Sequence, residues 1–430
     1  MRRLNQGLAH TSSIFPPAPS WPRDETALLT ETDAPLSLLL WQRARDVRLW
    51  ATISESSRSG LFVGQEPVER ALEAAEGLAE CLATPLRALS ALVRYPEYVT
   101  GADVCVACLA ISEWANDAHM PETALHFAEA ASLADPVSAH AAAAAGSACA
   151  RQAADARAEV WLTRAIRIAR RTRDWEWHAR GYLRLGMVFY ELGDVRRARR
   201  AYNRAHASAR WSGHNSFAAK AHHDLLLIDC SAGTYQSGER HALRALELYP
   251  AQYQRLPHLA HDVGCLLACH GAYTDALALL DAALPFFIRP WERVAIMGTV
   301  ALAAAGLGQR ERHAEAVADL LLLGNVAETH VAGALSLAAE GSALLGEWER
   351  ARRLATRAVE LAERRREREP LRRARRVLEG VEVVRGAPPP AESAADLRAR
   401  FVERLRDLRA PSAEVGTHAE LAQFTISGRT

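Results

Sequence analysis

The chain has 430 residues, with 52 basic and 51 acidic side chains and a formal net charge of +1. That balance argues against a strongly basic nucleic-acid binder and against an acidic tail protein. A hydrophobic fraction of 49% with 24% charged residues excludes wholesale disorder. Lys220 is the only lysine, so 51 of the 52 basic residues are arginine, and the Ala/Leu/Arg/Glu-rich composition favours helix throughout.

Residues 1–33 contain Pro16, Pro17, Pro19 and Pro22 and are expected to be disordered. No apolar core follows Met1-Arg2-Arg3-Leu4, so no secretory signal is expected. The longest nearly uncharged stretch, 294–308, is about 15 residues against the roughly 18 a membrane span needs, so no membrane partner is expected. Seven cysteines, an odd number, then imply reduced thiols in a cytoplasmic protein. Residues 34–98 read as a divergent helical cap. Asp33 is placed to cap a helix over 35–55. A second helix spans 66–82, with Ala71, Ala75 and Leu78 on one face, and a third spans 85–94.

From 99 to 365 the sequence repeats. Small residues recur at Ala124, Ala158, Ala198, Gly238, Ala276, Ala314 and Ala351, at intervals of 34, 40, 40, 38, 38 and 37. Seven positions later stand Ala131, Ala165, Ala205, Ala245, Ala283, Leu321 and Ala358. Twelve positions earlier stand Ser112, Gly146, Gly186, Leu226, Gly264, Leu302 and Ala339. Gly193, Gly233, Gly271 and Gly346 fall where one helix must end and the next begin. Two antiparallel helices approach closely only where small side chains face each other. One such pair cannot bury its own apolar face, so pairs stack. Segment 179–212 is the clearest unit, with Tyr182, Gly186, Phe189, Gly193, Ala198, Tyr202 and Ala205.

This pattern resembles the tetratricopeptide repeat over about seven units. Most intervals exceed the 34 residues of that family, and several signature aromatics are Leu or Ala. The expected fold is all-α: a right-handed α-solenoid of about seven stacked antiparallel helix pairs. Beyond the array, 366–386 should hold a closing helix over 371–384. Residues 387–430 should hold a proline linker at 387–390, an amphipathic helix over 391–408 and a flexible tail. Leu397, Phe401 and Leu405, four apart, suit either a docked cap or a partner-binding helix, docking being favoured.

The resemblance also implies a concave groove lined by the first helix of each pair. Carried onto this chain, its lining positions give Arg151, Arg180, Met187, Tyr190, Glu191, Lys220, His223, His258 and His261, with His140 and Cys230 beside them. A basic, partly aromatic groove suits an acidic or C-terminal protein or peptide segment. Chaperone-binding members use a Lys/Asn/Arg clamp whose Asn positions are not matched here. His261, Cys265 and Cys269 share one helical stripe and carry zinc-ligand chemistry. Successive turns are about 5.4 Å apart, so three ligands on one straight helix converge poorly, and buried or lining roles are the better reading. Cys105 and Cys108 form a CxxC within an apolar helix, where they read as small hydrophobes.

Arginine runs at 167–173, 196–204 and 364–376 would lie on the convex face, the last as a solvated helix of alternating charge. No GxxxxGK[ST], GxSxG or HExxH occurs, and no strand is available to carry GxGxxG. No cofactor is called for. The sequence therefore points to a non-enzymatic scaffold or adaptor that binds a protein or peptide in its groove. One alternative is a peptide-sensing regulator acting through a partner, since residues 34–64 lack the compact pattern of a DNA-binding module. A second alternative is a nucleic-acid scaffold acting through Arg196, Arg197, Arg199, Arg200 and Arg204.

Overall fold

The computed structural model describes residues 26–62, 80–250, 252–325, 330–380 and 388–408, and among these no strand occurs. Of the expected disorder over 1–33, residues 1–25 lie outside the described residues, as do nearly all of the expected helix over 66–82 and the tail beyond 408. From residue 26 the expectation is not met: Ala27–Thr30 forms a short 3-10 helix and buries Leu28 completely. Two helices precede the repeats, α1 (Ala34–Thr52) and α2 (Glu80–Arg94). Seven pairs follow: α3 (Gly101–Asp117) with α4 (Pro121–Ala134), α5 (Ala139–Arg151) with α6 (Asp155–Thr172), and α7 (Trp175–Glu191) with α8 (Val195–Ser212). Then come α9 (Asn215–Ala232) with α10 (Tyr235–Leu248), α11 (Leu256–Cys269) with α12 (Tyr273–Ala283), α13 (Pro290–Gly306) with α14 (Arg310–Leu323), and α15 (Val331–Leu344) with α16 (Trp348–Arg365). Two helices close the described chain, α17 (Arg368–Leu378) and α18 (Ala391–Arg406).

The repeat positions explain the pairing. In six of the seven pairs the fourth residue of the second helix is small and buried: Ala124, Ala158, Ala198, Gly238, Ala276 and Ala351. The small residues of the first helices then receive a leucine from the partner. A Cβ at Gly146 would stand 2.7 Å from Leu162 Cγ, and one at Gly264 would stand 2.7 Å from Leu280 Cδ2. Gly264→Ala is therefore expected to lower the stability of the array by about 1–2 kcal/mol. Urea unfolding checks this, and an unchanged midpoint would mean that α11 and α12 are not held this closely. Each turn between the helices needs a left-handed residue. Gly193, Gly233, Gly271 and Gly346 all have positive φ, as does Gly308.

The sixth pair departs from the expected register by one residue. Ala314 is half-exposed, and the fourth residue of α14 is His313, which is fully buried. Its Nδ1–H donates to Ala301 O at 2.9 Å, and its Nε2 accepts from Ser342 Oγ at 2.9 Å. Leu320 and Ala301, not Leu321 and Leu302, then take the positions seven after and twelve before.

The chain forms two compact units, 1–188 and 189–430. In the first, α1 packs on α4 and buries Leu40, Val47 and Trp50, whose indole donates to Pro96 O at 2.7 Å. Asp33 precedes α1, but its carboxylate accepts from Thr32 and makes no cap bond to the helix. It is Glu31 that caps, accepting from the backbone N–H of Glu122 and Thr123 at the start of α4. Cys105 and Cys108 are buried in α3, and burial pushes the Cys105 thiol up to about 11.

In the second unit, α18 is docked rather than free. Leu397, Phe401 and Leu405 are buried against α12 and its neighbours. Arg398 pairs with Asp275 at 3.1 Å, and Arg404 donates to Tyr249 O at 3.0 Å. The expected helix over 371–384 begins earlier, at Arg368, and is described to Leu378, with 381–387 outside the described residues. Arg366 adopts a left-handed conformation at φ 58° and breaks the chain between α16 and α17. The run 364–376 is thus not one solvated convex helix. Arg372 and Arg373 turn onto first helices.

Candidate functional site

The first-helix face of the first unit gathers cations. On α7, Trp177, Arg180, Arg184 and Met187 stand at spacings of three, four and three, which places them on one stripe. Arg180 and Arg184 lie over the Trp177 ring at 4.8 and 5.7 Å, and the His140 imidazole of α5 stacks on the same indole at 4.1 Å. Arg151, the last residue of α5, donates to Asn116 Oδ1 at 2.5 Å. Arg180 is tied to Glu176 at 2.8 Å.

Arg184 differs from both. No carboxylate reaches ion-pair distance of it among the described residues. Burial and the Arg180 and Arg151 charges push it down to about 9, with Glu113 opposing weakly. Burial likewise lowers Arg151 to about 10, opposed by Asp117. Three guanidiniums thus share one half-buried surface on which Glu176 is ion-paired with Arg180 while Glu113 and Asp117 act on Arg184 and Arg151 from farther off, and all three remain protonated near neutrality. Arg151, Arg180 and Met187 were expected on this face. Arg184 was not, although its place four residues after Arg180 was the signal for it.

The same cluster acts on His140. Burial, then Arg184 and Arg180, push that imidazole down to about 4. Between pH 6.5 and 4 the unfolded chain therefore binds a proton that the folded unit refuses, so stability falls as pH drops through that window. With the ring partly solvated, the expected loss is about 1 kcal/mol. Denaturant midpoints at pH 7, 5.5 and 4.5 check it, and His140→Asn should flatten the difference.

The second unit does not form the basic groove that was expected. Lys220, His223, His258 and His261 each have a carboxylate within reach. Lys220 is ion-paired with Asp224 one turn along α9. His223 Nε2 meets Asp262 Oδ2 at 2.7 Å, and His261 Nδ1 meets Asp262 Oδ1 at 3.1 Å while its Nε2 meets Thr299 Oγ1 at 3.0 Å. Burial alone would raise Asp262, but the two imidazoles hold it well below the usual carboxylate range. His258 pairs with Glu292 at 3.3 Å. Low-dielectric surroundings admit polar and charged groups only with partners, which explains why an acid accompanies each of these side chains.

Tyr190 and Glu191, at the end of α7, are half-buried in this unit, and burial raises the Tyr190 phenol. Cys265 and Cys269 lie 4.0 Å apart with Arg373 Nη1 3.8 Å from Cys269. Among the described residues, no group of three or more His, Cys, Asp or Glu side chains is arranged to hold a metal ion. On the second helices, Arg197 stacks on Phe189 at 3.7 Å and Arg199 pairs with Asp229 at 2.6 Å, so neither is displayed as a free phosphate contact. No helix among the described residues is long and apolar enough to cross a membrane.

No family model matches the chain, and no curated protein matches it. Solved structures do. The Rap conjugation gene regulator of the plasmid pLS20, in complex with the Phr* peptide, is 15% identical at a TM-score of 0.47, covering 80% of this chain and 98% of that one. A Rap protein complexed with competence and sporulation factor is 12% identical at 0.42, covering 86% and 99%. A circular tandem repeat protein with novel repeat topology is 17% identical at 0.19, covering 87% and 86%. The helix pairs themselves, with their small fourth residue and glycine turns, make this an all-α, tetratricopeptide-like repeat chain.

Proposed function

We propose that this chain is a non-catalytic scaffold that binds a protein or peptide, and that the arginine cluster of the first unit receives a carboxylate-bearing segment of it. The observation that carries the reading is Arg184, a half-buried guanidinium with two cationic neighbours and no ion-paired acid. A carboxylate placed there would relieve the repulsion and accept charge-assisted, bidentate hydrogen bonds. Trp177 supplies an adjacent apolar face, and a site on packed helices loses little entropy on binding. The seven cysteines are all unpaired thiols, which supports a cytoplasmic setting.

The test is a titration of the full chain with a labelled glutamate-rich hexapeptide, followed by fluorescence anisotropy at low and high salt. Saturable binding that weakens with salt and is lost in Arg180→Glu is expected. An absence of binding at low salt, or equal binding by Arg180→Glu, would sink the reading.

A further inference from the structure

α17 packs on α16 and α15, and its arginines reach further first helices of the second unit. It is 11 residues long, hence about 16 Å. Even so, its arginines reach three first helices of this unit and the turn that follows α7. Arg368 lies against Gly193 beyond α7, and Arg372 Nη2 donates to Ser231 O of α9 at 3.1 Å. Arg373 reaches Cys269 of α11 and donates to Glu340 Oε2 of α15 at 2.9 Å.

The inward residues of α17 are Pro370, Arg373, Ala374 and Val377, at i, i+3, i+4 and i+7. That is the anchor pattern of an amphipathic helix held in a groove. Its charged anchor is specific. Glu340 is 5% exposed and Arg373 16% exposed, and Arg373 is the cation that meets this carboxylate. A helix without arginine at that register would leave Glu340 buried and unpaired, which selects against it. The apolar hold is weak by comparison, since only Ala374 and Val377 are fully buried. A helix this short is marginal alone, and a two-residue hinge at Arg366 and Glu367 joins it to α16.

We propose that the first-helix face of the second unit is a receptor surface for an arginine-bearing amphipathic helix, with α17 as its resident occupant and a partner helix of the same pattern as its replacement. This surface is separate from the arginine cluster, so the inference stands or falls independently of the proposed function. The probe is a fluorescein-labelled peptide copying residues 367–380, titrated against the full chain and against its Val377→Asp variant, which weakens the resident helix and leaves the face unaltered. The variant should bind the peptide at least tenfold more tightly than the unaltered chain. A peptide carrying Arg373→Ala should bind the variant at least tenfold more weakly than the parent peptide. In the unaltered chain, hydrogen exchange should be at least tenfold faster in α17 than in α15. Equal peptide affinity for variant and unaltered chain, indifference to Arg373→Ala, or exchange of α17 only with α15 would overturn the inference. Global unfolding of the Val377→Asp chain would overturn it too, because a replaceable occupant can leave without unfolding its receptor.

Discussion

Exchanging Arg184 for methionine is expected to stabilise the first unit by about 2 kcal/mol while weakening binding of a glutamate-rich peptide at least tenfold. The two effects have opposite signs for one reason. Arg184 stands at about 9 instead of 12.5 because burial and two neighbouring guanidiniums disfavour its charge. For a fully dry group that displacement would correspond to nearly 5 kcal/mol of unfavourable charging. Solvent reaches a half-buried side chain, so about 2 kcal/mol is the part to be recovered. Methionine keeps the apolar stem beside Trp177 and removes only the charge. Urea unfolding and peptide anisotropy on the same protein give both readings. A destabilised Arg184→Met chain would show that the guanidinium is a structural element. The assignment of the site would then fail even if peptide binding also fell.

His313→Ala is expected to cost about 3 kcal/mol. The repeat pattern alone argues the opposite way, since six sister positions are Ala or Gly. In the sixth pair, however, the neighbouring helices have adapted to the imidazole. A Cβ at Gly341 would stand 3.0 Å from His313 Cε1 and 3.1 Å from Ala305 Cβ, so the ring fills the space that α15 leaves by having glycine there. Removing it opens a void and strips Ala301 O and Ser342 Oγ of their buried partner. His313→Gln keeps some hydrogen-bonding capacity and should cost less. A thermal or urea midpoint for His313→Ala equal to that of the unaltered chain would show that the pair closes up without the ring.

The candidate site was partly legible. Arg151, Arg180 and Met187 fall on the first-helix face of the first unit because repeat spacing sets which side of a helix a residue occupies. Arg184 follows from the same stripe. In the second unit Lys220, His223, His258 and His261 lie on first helices, as the repeat spacing implies, but that spacing did not show which carboxylates face them. The partner of Lys220, Asp224, lies four residues along the same helix and could be read from spacing. Asp262, which joins His223 and His261, links residues of α9 and α11. Glu292 stands opposite His258 from α13. Such pairs depend on how neighbouring repeats are rotated against each other, and no local pattern encodes that rotation.

By itself the amino-acid sequence determined the succession of helix pairs. Small residues at close contacts and glycines at left-handed turns are local requirements, visible wherever they recur. The tertiary structure alone decided the register of the sixth pair, where a bulky imidazole replaced the expected alanine because α15 made room for it. It also decided the course of α17. The break before that helix falls at Arg366, a residue with no preference for positive φ, where the sequence shows only a continuous charged run. The left-handed conformation there costs on the order of 1 kcal/mol. The contacts that offset it, Arg373 with Glu340 and Arg372 with Ser231, come from residues 33 and 141 positions away, which no local reading of the run could supply.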